Sequence, residues 1–523
     1  MDTKALRQKV LDLAIRGKLV PQDPNDEPAS VLLERIRQQK QQMVKEGKLK
    51  AKDIKNDTII FVGEDNLHYE KFSDGSVKCI EDEVPFGLPD GWAWVRLGNL
   101  SAAIQYGLSN SAEPQGTHRL LRITDIQDGK VDWNAVPFTT VNDPEAYLLK
   151  TGDIVFARTG ATVGKSFLIT ETPYPSVYAS YLIRIRLLGS LSPEYIYQFF
   201  DSACYWSQIT DKSVGVGQPN CNGTSLKELF IPLPPISEQL RIVPTAQALL
   251  AYVAKIDAEK KSLLSIIMAT KSKILDLAIR GQLIPQDPND EPASVLLERI
   301  RAEKEELIKQ GKIKRDKKES VIFRGEDNSY YEKMADGKLH CLDDQLPFEL
   351  PDGWEWCNLS MIGTTNIGLT YRPTDIEPGD IMVLRSCNIV NDQVDLNDLV
   401  RVKTTVRENQ FAQKNDILIC ARNGSRSLVG KCALIPDLGE PASFGAFMAI
   451  YRTEYFEFIV HYLRSSFFRS VFDDSNSTAI NQLTQDMLKR AIVPLPPLSE
   501  QRRIVEAIGA MLFELNQIEK SLS

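Results

Sequence analysis

The chain contains the same sequence blocks twice, and their order is the strongest constraint on its fold. Residues 9–37 recur at 273–301 with three differences. A second block, 231–243, recurs at 493–505, and both copies contain the segment PLPP-x-SEQ. The two offsets, 273 − 9 = 264 and 493 − 231 = 262, are close to half of the 523 residues. Both repeats therefore describe one duplication of the chain.

The two kinds of block lie together in the middle of the chain and apart at its ends. The middle therefore carries one whole helical unit. The amino terminus carries only the second half of such a unit, and the carboxyl terminus carries only the first half. If the two ends fold together, they rebuild a second copy. The order of the blocks thus predicts a single chain with pseudo-twofold, circular organisation.

Length and composition predict several globular domains. A chain of 523 residues is too long for one hydrophobic core, and 43% hydrophobic with 25% charged residues is ordinary for a globular protein. No apolar run reaches the roughly 18 residues of a membrane span, so we expect a cytoplasmic protein without membrane contact. The eight cysteines and four histidines lack the spacing of metal ligands. We expect neither metal nor disulfides.

The net charge weighs against nucleic-acid binding by positive charge alone. It is −8, with a pI of about 5.4. Binding to a polyanion then requires that basic residues be concentrated on one face, or that partner subunits supply phosphate contacts.

A long helix is predicted after the central PLPP segment. Positions at alternating steps of four and three from Leu249 to Leu277 are apolar at seven of nine places, which is the spacing of a coiled-coil seam. We expect Pro244 to break or kink the helix, so that it runs over residues 245–280 and spans roughly 50 Å. The seam packs either against the terminal segments of the same chain or against another subunit.

The fold class predicted is α+β, with two α+β domains separated by long antiparallel helical spacers. Alternating residues around Asp74-Gly75 and Asp336-Gly337 indicate a β-hairpin before each domain. The domains between the repeated frames have equal length but little sequence in common, which is typical of readers of two different targets. The predicted divisions are helical regions 1–57, 232–319 and 493–523, hairpin extensions 58–91 and 320–353, and reading domains 92–231 and 354–492.

Glycine-containing basic loops are the strongest candidates for a binding site. Residues 158–165 and 422–431 each follow an apolar β-rich run, DIVFAR and DILICAR. Arginine can pair bidentately with guanine, and glycine lets the backbone approach a phosphate. An ordinary tight turn is the alternative interpretation. Candidate nucleic-acid contacts in the first domain are Arg122, Asp125, Arg158, Thr159, Lys165, Tyr178, Ser180 and Tyr181. Those in the second are Thr370, Tyr371, Arg372, Arg385, Asn388, Arg422, Asn423, Arg426, Lys431 and Asn481.

The sequence offers no complete catalytic motif. The segment from Gly160 to Ser166 resembles a phosphate-binding loop, but three residues separate its glycines where four are needed. The PP dipeptides lack the polar and aromatic neighbours with which an amino-group methyltransferase holds a flipped base. We therefore expect no catalytic residues.

The paired PLPP-x-SEQ blocks, the LPDGW segments and the loop DIVFARTGATVGK resemble the specificity subunit of type I restriction–modification systems. That resemblance implies a non-catalytic subunit whose two target recognition domains each read half of a bipartite double-stranded DNA sequence. It also implies that two methyltransferase subunits dock on the helical spacers and supply S-adenosylmethionine and adenine N6 methylation. Two motor and nuclease subunits, which use ATP and magnesium, complete the complex. The hairpin extensions are longer than the minimal family pattern.

One alternative remains open from the sequence. The same coiled coil could display two protein-binding domains as an interaction scaffold, which the acidic net charge favours. Binding that depends on DNA sequence and weakens steeply with salt separates the two interpretations.

Overall fold

The computed structural model of the chain describes residues 2–127, 129–212, 220–315, 320–376, 379–473 and 482–522. The chain divides into two compact units, Met1–Lys260 and Lys261–Ser523. Each unit combines helices with short strands, and this mixed content agrees with the α+β class predicted from the sequence. In the part of the chain that is described, no helix is both long and apolar enough to cross a bilayer.

The first unit contains seven complete helices and the first part of an eighth among its described residues. The helices are α1 (Thr3–Ile15), α2 (Ala29–Lys45), α3 (Ala51–Ile54), α4 (Leu97–Leu100), α5 (Pro193–Phe200), α6 (Ala203–Lys212), α7 (Gly223–Lys227) and α8 (Ile236–Ile279). The strands are β1 (Ile59–Val62), β2 (His68–Lys71), β3 (Val77–Cys79), β4 (Ala93–Arg96), β5 (Ser101–Tyr106), β6 (His118–Leu121), β7 (Ile126–Gln127), β8 (Lys130–Val131), β9 (Phe138–Thr139), β10 (Ile154–Ala157), β11 (Ser166–Leu168), β12 (Ser176–Tyr178), β13 (Leu182–Leu187) and β14 (Phe230–Leu233).

The second unit repeats this order of elements after the end of α8, except that no helix corresponding to α3 is found among its described residues. Its further helices are α9 (Ala293–Lys309), α10 (Leu359–Ile362), α11 (Phe456–Arg464), α12 (Ser466–Asp473), α13 (Gln485–Arg490) and α14 (Leu498–Leu522). Its strands are β15 (Ser320–Arg324), β16 (Tyr330–Met334), β17 (Leu339–Cys341), β18 (Glu355–Asn358), β19 (Thr364–Ile367), β20 (Ile381–Leu384), β21 (Ile389–Val390), β22 (Gln393–Val394), β23 (Val400–Val402), β24 (Ile417–Cys420), β25 (Cys432–Leu434), β26 (Ala442–Phe444), β27 (Met448–Arg452) and β28 (Ile492–Leu495).

Two sheets form the centre of the globular part of each unit. In the first unit they have the strand orders β11-β10-β13-β5 and β12-β6-β9, and in the second β19-β27-β24-β25-β22-β21 and β23-β20-β26. Strand β10 is buried at all four positions, as is β24, which fits their continuous apolar sequences. The loops that follow these two strands carry the predicted basic residues, so each loop starts from a rigid support.

Each globular part begins and ends on one antiparallel pair of strands. Strand β4 pairs with β14 in the first unit, and β18 pairs with β28 in the second. Next to each pair, a buried tryptophan donates to a buried glutamate at the start of a helix: Trp92 Nε1 lies 2.8 Å from Glu238, and Trp354 Nε1 lies 3.0 Å from Glu500. These contacts join each variable globular part to the repeated helical frame.

A three-stranded antiparallel sheet precedes each globular part. Strands β2 and β3 meet at the turn containing Asp74 and Gly75, where the sequence predicts a hairpin, and β1 pairs with the other edge of β2. Strands β15, β16 and β17 form the same sheet in the second unit. Each sheet thus has one strand more than the predicted hairpin, β1 in the first unit and β15 in the second, which the turn residues did not predict.

Helix α8 corrects one prediction from the sequence. The helix begins at Ile236 and continues through Pro244, where we expected a break or a kink, so it does not break there. Pro244 has no N–H to donate to the carbonyl of Leu240, and both residues are exposed, which allows water to take the place of the missing donor. At 44 residues, the helix is about 66 Å long.

The terminal helices lie beside α8 within their own units. In the first unit, Thr3 Oγ1 donates to Asp257 at 2.7 Å, and in the second, Lys271 Nζ pairs with Glu519 at 2.5 Å. Along the predicted seam, Ile267 and Ile274 are buried, but Leu249 is 38% exposed. The seam is therefore only partly covered by this chain.

Candidate nucleic-acid interface

In the first unit, the side chain of Arg158 lies against the Tyr106 ring at the end of β10, and its backbone is hydrogen-bonded to that of Tyr181. Its guanidinium carbon lies 4.8 Å from the centre of the Tyr106 ring, and its backbone N–H donates to the carbonyl of Tyr181 at 3.1 Å. Tyr181 is 65% exposed. The arginine is thus held against one ring, which limits its rotamers, while the second ring extends into solvent.

The loop after Arg158 packs on α6 at its carboxyl end, near Gly164, and is open to solvent at Gly160. Gly160 has a φ of +73° and no neighbour near the position of a Cβ atom. At Gly164, by contrast, a Cβ atom would lie 2.5 Å from the Trp206 ring, so the loop packs closely on α6. Thr159 forms a β-bridge with Asn220, and Lys165 is exposed. The open side of this loop can approach a ligand.

In the second unit, Arg422 occupies the corresponding place after β24. Its backbone N–H donates to the carbonyl of Phe447 at 3.0 Å, and its guanidinium carbon lies 5.5 Å from the centre of that ring. Phe447 is 60% exposed. Arg422 also forms a β-bridge with Gln482, as Thr159 does with Asn220 in the first unit. We call the two sites, around Arg158 with Tyr181 and around Arg422 with Phe447, the arginine–aromatic edges.

At each arginine–aromatic edge, a glycine directly after a strand allows its backbone to pass close to a neighbouring segment of the chain. A Cβ atom on Gly107 would lie 2.3 Å from the carbonyl oxygen of Ala179, and one on Gly368 would lie 2.1 Å from that of Gly445. Any other residue would push the strand away, because backbone atoms cannot give way. These glycines therefore keep the strands β5 and β19 next to the exposed aromatic residues.

The remaining residues of the second loop differ in exposure. Asn423 is partly buried, and its amide donates to Ser386 Oγ at 3.4 Å. Arg426 is exposed, whereas Lys431 is partly buried. This loop has five residues between Gly424 and Gly430, compared with three between Gly160 and Gly164. The two arginine–aromatic edges thus both follow a buried strand, but the glycine-flanked loops after the arginine differ in length and sequence.

Two predicted contact residues are parts of the core instead. Tyr178 is fully buried, its hydroxyl donates to the carbonyl of Gln105 at 3.3 Å, and burial raises its pKa well above the usual range. Asn388 is 1% exposed, and its amide donates to the carbonyls of Asp395 and Asp398. A group without access to solvent cannot reach DNA, so the assignment of these two residues to the interface was wrong.

Two predicted arginines are held by carboxylates. Arg122 forms an ion pair with Asp125 at 2.6 Å, and this hydrogen bond raises the pKa of the guanidinium. Arg385 pairs with Asp398 at 3.0 Å. The first pair spans a short 3-10 turn, Ile123–Asp125, and Arg385 directly precedes another, Ser386–Asn388, which indicates a role in loop shape. A base would have to compete with the carboxylate for these arginines.

The other predicted residues lie around the edges or outside the described part of the chain. Thr370 and Arg372 are exposed, and Tyr371 packs partly against the cluster of Val383 and Val402. Ser180 is partly buried and its backbone N–H donates to the carbonyl of Leu108 at 2.8 Å. Asn481 falls outside the described residues.

Phe447 and Tyr106 are the residues at the edges that the sequence alone did not identify. Phe447 matches Tyr181 because both accept the backbone hydrogen bond of the edge arginine. The signal was present in the sequence, where SVYASYLIRIR aligns with ASFGAFMAIYR at an offset of 266. That offset departs from the 262 of the frame, since the second domain contains insertions before this point.

Among the described residues, no group of three or more His, Cys, Asp or Glu side chains is placed to hold a metal ion. The cysteines are all free thiols. The burial of Cys204, in particular, raises its thiol pKa to about 11, so that it is protonated at neutral pH.

Comparison with known proteins identifies the family. The sequence matches the type I restriction modification DNA specificity domain over residues 89–266 and 351–522, which is more than half of the chain. It is 28% identical to the specificity subunit of the type I restriction enzyme EcoAI from Escherichia coli, and 27% identical to that of EcoEI from the same species. Each match covers 99% of this chain and 90% of the relative.

A solved structure shares the fold. A chain from work on complex assembly and conformational transition of the type I R-M system superposes with a TM-score of 0.52 at 18% identity. The superposition covers 84% of this chain and 94% of the other. With the two family matches falling on the two globular parts and the helices that follow them, the chain belongs to the family of type I restriction–modification DNA specificity subunits.

Proposed function

We propose that each unit reads one half of a bipartite, interrupted DNA target. The observation that carries this proposal is the presence of an arginine–aromatic edge at the same topological position in two globular parts of different sequence. An arginine can donate two hydrogen bonds to guanine in the major groove, and an exposed ring can contact base edges and thymine methyl groups. The glycines beside each arginine bring backbone N–H groups within reach of phosphates.

Differences between the two edges support an asymmetric target. Tyr106 and Tyr181 in the first unit correspond to Ile367 and Phe447 in the second, so the second edge has no tyrosine hydroxyl at either place. The glycine-flanked loops also differ in length. Because hydrogen-bond donors and loop shape set base preference, the two half-sites should differ in sequence.

The distribution of charge is compatible with DNA binding despite the net charge of −8. Residues 58–91 carry eight acidic and two basic side chains, and residues 320–353 carry eight acidic and three basic ones. These two segments, each a sheet with the residues that follow it, therefore contribute −6 and −5, and the rest of the chain carries −8 − (−11) = +3. The excess of basic residues lies in the helical regions, since the reading domains 92–231 and 354–492 carry −1 and −2. Attraction of phosphates by the reading domains therefore depends on local groups of basic residues such as those of the two loops.

The helices are the proposed docking site for two methyltransferase subunits. Tyr252, Ile266 and Met268 on α8 are 67%, 57% and 68% exposed, and Phe513 on α14 is 60% exposed. Large exposed apolar side chains on helices mark protein interfaces. In this proposal the methyltransferase subunits bind S-adenosylmethionine and methylate adenine N6. Two further subunits use ATP and magnesium for restriction.

The proposed arrangement is pseudo-twofold, with antiparallel helical spacers between the two readers. It is supported by the order of the duplicated blocks and by the contact of each terminal helix with α8 inside its own unit. Such an arrangement would present the two readers to DNA in opposite orientations, as dimeric DNA-binding proteins do.

Mapping of methylated adenines in cells that express this chain with its partner subunits tests the proposal. We expect methylation at one interrupted sequence with two different halves. In filter binding, the purified complex should retain duplexes that contain that sequence, and retention should fall steeply as salt increases. Binding that is indifferent to DNA sequence would favour the scaffold interpretation and overturn the proposal.

A further inference from the structure

The three-stranded sheet before each globular part exposes one apolar face. The register of the first sheet places Ile59, Phe61, Tyr69, Lys71, Val77 and Cys79 on this face. Phe61 is 40% exposed and Val77 is 52% exposed, and the rings of Phe61 and Tyr69 stack with their centres 5.9 Å apart. The opposite face carries Glu70 and Ile80, which are buried. We call the exposed side the extension face.

The second sheet presents the same face. Phe323 and Tyr331 stack with their centres 6.0 Å apart, Phe323 is 37% exposed and Leu339 is 56% exposed. Each tyrosine hydroxyl donates to an aspartate of the preceding turn at 2.7 Å, Tyr69 to Asp65 and Tyr331 to Asp327. The geometry of the extension face is therefore duplicated along with its sequence.

Retention of these side chains is not explained by packing. The six positions of the extension face hold the pairs Ile/Val, Phe/Phe, Tyr/Tyr, Lys/Lys, Val/Leu and Cys/Cys in the two units. Other positions in the same sheets have changed character between the two units. Val62 of the first unit corresponds in sequence to Arg324 of the second, and Leu67 corresponds to Ser329. Burial preserves core residues, but exposed apolar residues that stay alike on one face indicate a shared partner.

Charge disfavours DNA as that partner. Residues 58–91 and 320–353 carry −6 and −5, of which the sheets themselves, 59–79 and 320–341, account for −2 and −1. The turns at the ends of the sheets hold Glu64 and Asp65 in one unit and Glu326 and Asp327 in the other. Such a surface repels phosphates and attracts a protein whose apolar patch is bordered by lysine and arginine. Because the face occurs once in each unit, its partner should bind twice to one chain.

We propose that each extension face binds one methyltransferase subunit through an apolar patch with a basic border, in addition to the helical docking site. The sheet follows directly after the duplicated helical block, so a subunit bound to the helices and the sheet would meet the same surface in both units. This inference rests on the proposed function. It assigns a role to residues 58–91 and 320–353.

The test replaces one exposed residue on each face, in the full chain. Val77→Lys and Leu339→Lys place a charge in the apolar contact and oppose the basic border of the partner, while the exposure of both positions preserves folding. The matched control is Val62→Arg, because Val62 is 57% exposed on the same sheet and arginine stands at the equivalent position of the other unit. Native mass spectrometry with purified methyltransferase subunit measures how many copies bind.

We expect two methyltransferase subunits on the unaltered chain and on Val62→Arg. Each single lysine variant should weaken one of the two sites by roughly tenfold or more, and the double variant should weaken both. Equal binding by the unaltered chain and the double variant would overturn this inference and leave the proposed function intact. Failure of the unaltered chain to bind any methyltransferase subunit would instead overturn the proposed function.

Discussion

At the scale of single residues, the partner of each arginine separates the side chains that can read DNA from those that shape the loops. Arg158 and Arg422 lie against aromatic rings at the solvent edge, whereas Arg122 and Arg385 are held by carboxylates. An arginine stacked on a ring has fewer conformations to lose when it binds a base. The stacked pair are therefore the stronger candidates for base contacts.

Arg158→Ala and Arg422→Ala should each relax the sequence preference of one half-site only. Loss of a bidentate contact to a base costs about 1–3 kcal/mol of discrimination at that position. Binding of the complex to duplexes with single substitutions in each half-site measures the effect. Arg401→Ala serves as a control, since Arg401 lies in β23 and forms an ion pair with Glu440. Equal weakening for all duplexes would make the edge arginines phosphate contacts.

His461 in α11 should make the second unit less stable in acid. Burial, together with the charge of Arg464, lowers the pKa of His461 to about 4. The unfolded chain, with a histidine pKa of about 6.5, then takes up a proton first. The contribution to stability is complete above pH 6.5 and is lost as the pH falls towards 4, by about 1–3 kcal/mol.

Urea denaturation followed by tryptophan fluorescence from pH 7.5 to 4.5 checks this dependence. His461→Gln should lose less stability over that range than the unaltered chain. His340→Gln, at an exposed position, should behave like the unaltered chain. A His461→Gln variant with unchanged pH dependence would contradict the prediction.

At the scale of elements, the duplicated helices allow a matched comparison within one molecule. Helices α8 and α14 begin with equivalent blocks, and Pro244 in the first corresponds to Glu506 in the second. Both positions have eight helical residues before them. Substitutions at these two positions therefore measure the effect of proline on the free energy of unfolding in two similar helical contexts.

Pro244→Glu should raise the free energy of unfolding by about 1–3 kcal/mol, because it restores a helical hydrogen bond to the carbonyl of Leu240. The reciprocal change, Glu506→Pro, should lower the free energy of unfolding by about 3 kcal/mol. Urea denaturation of both variants measures these shifts. If Pro244→Glu were destabilising, the proline would have to stabilise a bend that packing requires.

At the scale of the whole molecule, frame and readers are separate parts. The strand pairs β4–β14 and β18–β28 close each globular part on itself. The tryptophan beside each pair donates to an equivalent glutamate of the repeated helical frame, Trp92 to Glu238 and Trp354 to Glu500. Each globular part should therefore fold correctly when it is inserted into the helical frame at the position of the other.

Exchange of residues 92–231 with residues 354–492 should invert the order of the half-sites in the target. Mapping of methylated adenines in cells with the exchanged chain measures the new order. Exchange of the sheets, 58–91 with 320–353, is the control and should leave the target unchanged. An unchanged target after exchange of the globular parts would contradict modular reading.

Local sequence predicted several parts of this molecule correctly. The turn at Asp74 and Gly75 joins two paired strands, and the basic loops follow buried strands, because turn residues and apolar runs act over a few positions. The PLPP-x-SEQ and LPDGW segments pointed to the family that the comparisons identify. The duplication also predicted which segments would adopt equivalent structures in the two units.

Other features were decided only by tertiary structure. Tyr178 and Tyr181 are three residues apart and equally polar, yet one is fully buried and the other is 65% exposed. The difference arises because Tyr178 lies in β12, beside a strand more than fifty residues away, and Tyr181 lies beyond its end. The exposure of a side chain depends on such distant neighbours, which a pattern of nearby residues does not encode. The sequence by itself therefore determined the repeated frame and the position of the loops, and the pairing of distant strands decided which side chains face solvent.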